Sequence, residues 1–129
     1  MGAAAPGARV LDGDAVSGER EVEALRQARA LIADPARWCQ YEGARGRSGR
    51  GVDLLGRSAV AWCALGALER VCWRLGVGLI GPRERLDRAA KHVAKREYGS
   101  SPALVNDRLG HDAVLRMYDL AIGECEAAG

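Results

Sequence analysis

The chain has 129 residues, of which 48% are hydrophobic and 28% charged, and its formal net charge is +2. That length suits one domain with a buried core, and the balance is globular rather than disordered. So small a net charge implies no bulk attraction to nucleic acid or to an anionic membrane.

Phe is absent and aromatics are 5% of the chain, so the core must be built mainly from Leu, Val, Ala and Ile. No apolar run approaches the roughly 20 residues that cross a bilayer. The start Met1-Gly2-Ala3-Ala4-Ala5-Pro6 lacks the basic and apolar regions of a secretory signal. The expectation is a cytoplasmic protein with reduced thiols, no membrane association and no cofactor. The four cysteines, Cys39, Cys63, Cys72 and Cys125, are scattered and contain no C-x-x-C pair, so no metal site is expected either.

Met1 to Ser17 is rich in Ala, Gly and Asp without periodicity and reads as a disordered tail, with a single helical domain over 18–128. The first helix is predicted from Ser17, as its cap, to Ala33; Val22, Leu25, Ala28 and Ile32 form its apolar stripe. Asp34-Pro35 ends it, and Pro35 suits the start of a short turn carrying Trp38 and Cys39. Glu42 to Gly56, punctuated by Gly and Arg, is predicted as one long loop.

The second helix is predicted from Ser58 to Leu75, stopped by Gly76. Its first half is apolar on every side, from Ala59 to Leu68, which marks a buried helix at the centre of the fold. On such a helix Trp62 and Trp73 would share a face. Gly66 in mid-helix implies close approach by another helix or a Trp ring, or a ligand groove between Trp62 and Trp73. A third, surface helix is predicted from Pro82 to Tyr98. A short fourth follows Ser100 or Ser101 and is ended by Asn106-Asp107. A fifth runs from Gly110 to about Ala127. No segment shows period-two alternation. The fold class is all-α, a single compact bundle of about five helices with one long Gly/Arg-rich loop.

Several short motifs stand out: Leu25-x-x-Ala28-Arg29-x-Leu31-Ile32 followed by Pro35 and Trp38; Trp62-Cys63-Ala64-x-Gly66-Ala67-Leu68; Asn106-Asp107; and Val114 with Asp119 and Ala121-Ile122. In order and rough spacing the chain resembles a family of small bacterial proteins known only as a domain of unknown function. The gap between Asn106-Asp107 and the last helix is shorter than the resemblance leads one to expect, and Val105 stands where an aromatic often precedes the Asn. What the resemblance implies is a compact helical domain. It brings no activity, cofactor or partner.

Three constellations could carry chemistry. Cys63, placed by the predicted helix in its second turn, could be a thiolate nucleophile, with His111 as base and Asn106 or Asp107 as orienter. Against this, an all-apolar helix hides a thiol and raises its pKa. Arg85, Arg88, Lys91 and Lys95 on the third helix could contact phosphates, but the interleaved Glu84, Asp87 and Glu97 read as a solvated face. Asn106-Asp107 reads first as a helix cap. Trp38, Trp62, Gly66 and Leu68 are assigned structural roles. The leading expectation is a non-enzymatic interaction or regulatory domain, with a protein partner or a second copy of itself. A thiol-dependent enzyme and a weak nucleic-acid binder are the alternatives.

Overall fold

A stripe of Leu25 and Ala28, continued just past its end by Ile32, all fully buried, organises helix α1 (Gly13–Leu31), whose opposite face carries exposed Glu23, Arg26 and Ala30. The computed structural model that shows this describes residues 13–95 and 101–128. Helix α1 begins before Ser17, which therefore lies inside it rather than capping it. Residues 1–12 of the proposed tail lie outside the described residues. Asp34 accepts from Ala36 N at 2.9 Å and, with Pro35, starts a 3-10 turn over Pro35–Arg37.

Ala59 to Cys63 is extended, not helical. Strand β2 (Ala61–Trp62) pairs antiparallel with β1 (Ala44–Arg45), in the register Ala44↔Trp62 and Arg45↔Ala61. Trp62 also bridges Trp38 in parallel. The apolar run is buried because a sheet and a loop cover it, not because a helix threads the core. A short apolar run fits either state, and here the partner strand, far off in sequence, decides.

Helix α2 (Ala64–Leu75) starts one residue after Cys63 and ends at Gly76, whose φ of 70° is left-handed. Gly76 N and Val77 N donate to Trp73 O and Cys72 O, the paired bonds of a Schellman stop. Trp62, on the strand, is 2% exposed, whereas Trp73 on α2 is 68% exposed. The two rings therefore do not share one face.

Helix α3 (Ile80–Val93) is shorter than the predicted Pro82 to Tyr98, and Tyr98 and Gly99 lie outside the described residues. Ser101 Oγ caps the single turn α4 (Pro102–Leu104). The chain then continues into a π turn over Val105–Leu109. Asn106-Asp107 thus sits inside a wide helical turn rather than ending a helix. Gly110, at φ 94°, breaks the direction before α5 (His111–Ala128). Helix α1 packs against α2 and α5, and α3 packs against α5, around one cluster centred on Leu25, Leu68, Val71, Leu86, Met117 and Tyr118. The architecture is an all-α bundle of five α-helices among the described residues, with only a two-strand ribbon beside it. Among those residues, no helix is long and apolar enough to cross a membrane.

Candidate functional site

Asn106 is the buried polar centre of the molecule, 1% exposed. Its Oδ1 accepts from Trp38 Nε1 at 2.7 Å and from Ala64 N at 2.9 Å. Its Nδ2 donates to Cys39 O at 3.0 Å and to Asp107 Oδ1 at 2.9 Å. A carboxamide has two donors and two acceptor sites, and all four are used. One side chain therefore joins the loop after α1, the start of α2 and the π turn. The wide turn puts Asn106 inward and Asp107 at the rim; π turns often occur where a helix must place a functional group.

Cys63 is the N-cap of α2. Its Sγ accepts from Gly66 N at 3.2 Å, and its backbone N donates to Gly43 O at 3.1 Å. The expectation of a second-turn cysteine is corrected: the thiol stands at the very start of the helix, where it replaces the usual hydroxyl or carboxylate cap. Burial pushes its pKa up, more than the Gly66 and Leu65 N–H groups pull it down, and nearby Asp107 adds to the rise.

Asp107 Oδ1 also accepts from Tyr41 N at 2.9 Å, while Tyr41 Oη donates to Asp107 O at 3.2 Å. These bonds hold Tyr41 at a left-handed φ of 71°, a strained setting for a residue with a Cβ, and leave its side chain 69% exposed. Between the Tyr41–Gly43 turn, Cys63, Ala103, Asn106 and Asp107 lies a cleft of about 190 Å³. Glu42 lines it too, but its carboxylate is paired with Arg45. Within the described residues only Oδ1 of the Asp107 carboxylate is bonded.

His111 does not line this cleft. Its ring lies 5.2 Å from Trp38, and its Nε2 is 2.7 Å from Ile32 O. A carbonyl only accepts, so Nε2 carries a proton and donates it there. Of the sequence candidates, the fold thus gathers Cys63, Asn106 and Asp107 around one cleft, while His111 lies against the Trp38 ring and outside the cleft lining.

On α3, Arg85 Nε pairs with Glu21 Oε1 at 2.9 Å and Arg88 Nη2 with Glu124 Oε1 at 2.6 Å, so both tie α3 to neighbouring helices. Lys91 and Lys95 are exposed. Trp62 is held by its Nε1 bond to Leu54 O at 3.0 Å, with the Arg37 and Arg70 guanidinium groups 5.6 Å and 5.0 Å from its ring. Leu68 is fully buried. Gly66 meets neither a helix nor a Trp ring: a Cβ there would run into the Gly43 carbonyl, the same oxygen that receives Cys63 N. Among the described residues no three His, Cys, Asp or Glu side chains converge as metal ligands would.

Sequence reasoning missed Tyr41, Glu42 and Gly43, which sit in a loop without periodicity. The one available signal was Gly66, whose need for close approach is met by Gly43. No curated protein and no solved structure matches the chain. Residues 17–124 match DUF6197, described as a family of unknown function. That match spans the whole of Asn106's network, from α1 to most of α5, and the chain belongs to this family.

Proposed function

We propose that the chain is a non-enzymatic interaction domain that seats a basic side chain of a protein partner in the cleft between Tyr41 and Asp107. The observation that carries this is the unequal commitment of its polar groups. Asn106 is fully bonded, Glu42 is paired with Arg45, and His111 is tied to Ile32 O, while Asp107 reaches the cleft with Oδ2 unbonded among the described residues. The exposed Tyr41 ring beside it offers a face to a guanidinium or ammonium group. A cleft of about 190 Å³ suits one side chain rather than a whole metabolite. The same commitments weigh against thiol catalysis, because the base is occupied elsewhere and the Cys63 thiol is held up rather than activated. The reading places the protein in the cytoplasm, whose reducing poise fits four cysteines that are free in the fold.

The test is an amide chemical-shift titration of the protein with end-blocked Gly-Arg-Gly, Gly-Lys-Gly and Gly-Glu-Gly peptides. Saturable shifts confined to Tyr41, Gly43, Cys63, Ala103 and Asp107 are expected with the basic peptides. They should vanish in Asp107→Asn, which keeps an Oδ1 for Tyr41 N and Asn106. No shift with any peptide, or equal shifts in the variant, overturns the reading.

A further inference from the structure

Cys39 and Cys63 are 24 positions apart in sequence, yet the fold places both one residue past the same bridge. The parallel bridge between Trp38 and Trp62 makes each cysteine the next residue of a bridged pair, and Cys39 N donates to Trp62 O at 3.1 Å. Bridged strands run about 4.8 Å apart, here at Trp38 and Trp62, one residue before the cysteines, and a disulfide spans Cα separations of that order. Both cysteines are also bonded to the same turn: Cys39 Sγ to Glu42 O at 3.6 Å and Cys63 N to Gly43 O at 3.1 Å. Their accessibility differs. Cys63 lines the cleft and is half-buried, whereas Cys39 is 4% exposed.

We propose that Cys39 and Cys63 are a dithiol pair that a hydroperoxide entering the cleft converts to an intramolecular disulfide. The Cys63 thiolate sulfur attacks the terminal peroxide oxygen. The O–O bond breaks, an alcohol (water, from hydrogen peroxide) leaves with a proton, and Cys63 becomes a sulfenic acid. The Cys39 sulfur then attacks Cys63 Sγ, the S–O bond breaks, and water leaves carrying the Cys39 proton. Two thiols have lost two electrons and two protons, and one peroxide has been reduced. Burial pushes the Cys39 pKa up to about 11, and an ionised Cys63 adds to the rise. Burial keeps the thiolate fraction of Cys63 low near neutrality, so the reaction is slow there and quickens as pH rises. The inference is independent of what the cleft binds, because its readout is a covalent bond.

The four cysteines fall on four different tryptic peptides, with Cys39 in Trp38–Arg45 and Cys63 in Ser58–Arg70. The folded, reduced full chain is treated with hydrogen peroxide, its remaining thiols are blocked, and it is digested without reduction. The expected product is Trp38–Arg45 joined to Ser58–Arg70, two hydrogens lighter than the sum of the peptides and reversed by dithiothreitol. Cys63→Ser, whose hydroxyl can still cap α2, should lose the cross-link and leave Cys39 reduced, while Cys72→Ser should leave the cross-link intact. Circular dichroism confirms that each variant folds. Cys63 driven to sulfinic acid with Cys39 still reduced, or cross-links between chains in place of the internal one, would overturn the proposal.

Discussion

The indole Nε1 of Trp38 donates to Asn106 Oδ1 at 2.7 Å, a bond between residues 68 positions apart. It is one of four that end on a side chain with no capacity to spare. Asn106→Ala leaves Ala64 N, Trp38 Nε1 and Cys39 O without that partner, two of these bonds being wholly buried. We expect a loss of about 3–5 kcal/mol, read as a lowered urea midpoint by circular dichroism. Asn106→Asp keeps the acceptor but loses the donor to Cys39 O, and it sets a second carboxylate beside Asp107. Its destabilisation should ease as pH is lowered through the carboxylate range.

Two glycine substitutions separate close approach from helix propensity. Gly66→Ala drives a Cβ into the Gly43 carbonyl, so despite a better helix former the protein should lose about 1–3 kcal/mol. Gly123, exposed on α5, has nothing near its absent Cβ. Gly123→Ala should gain roughly 0.5–1 kcal/mol. Paired thermal melts check both; a neutral Gly66→Ala would contradict the clash with the Gly43 carbonyl.

Alkaline stability follows from the buried thiols. Cys39 and Cys72 are each pushed up to about 11 by burial, and buried Tyr118 is raised well above its ordinary value for the same reason. A raised folded-state pKa means that the folded chain holds the proton longer than the unfolded one. The stabilisation is complete below the ordinary thiol value near 9 and is lost as pH rises through about 11. Under reducing conditions, urea midpoints at pH 8, 9.5 and 10.5 should fall steadily. Cys72→Ala should flatten that decline, and an unchanged slope would contradict it.

Arg85 and Arg88 should part company in mutagenesis. Arg85, 19% exposed, pairs with Glu21, itself 20% exposed, so Arg85→Ala should cost about 1–3 kcal/mol. Arg88 is half exposed and its pair should contribute no more than about 1 kcal/mol. The hydrogen bond from Arg88 holds the Glu124 carboxyl below its ordinary value. That contribution is present above the ordinary carboxylate pKa and is lost as pH falls through the lowered one. Denaturation at pH 7 and pH 3 of the parent and Arg88→Ala chains should converge at the lower pH.

The elements legible in sequence are those whose signals are local. The stripe of Leu25, Ala28 and Ile32, the stop at Gly76 and the turn at Pro35 depend on neighbours a few residues away. Ala59 to Trp62 was illegible because its state depends on Ala44 and Arg45, which reach it only after the loop has folded back. Cys63, Asn106 and Asp107 could be picked out as unusual, and they do share a cleft. Their division of labour could not be read, because it turns on a π turn and on a Trp38 ring that takes His111 for itself.

The Gly43 carbonyl, shared between Cys63 N and the space beside Gly66, also tells where the molecule can be altered. The limbs of the long loop are pinned by Val52 N to Ala44 O, Val60 N to Arg45 O and Trp62 Nε1 to Leu54 O. Its tip at Ser48 and Gly49 is exposed, and Gly49 has open space around its Cα. A fluorophore or affinity tag inserted between Ser48 and Gly49 would ride above the ribbon and leave the Asn106 junction undisturbed, whereas an insertion a few residues earlier, between Tyr41 and Gly43, would pull apart three segments at once.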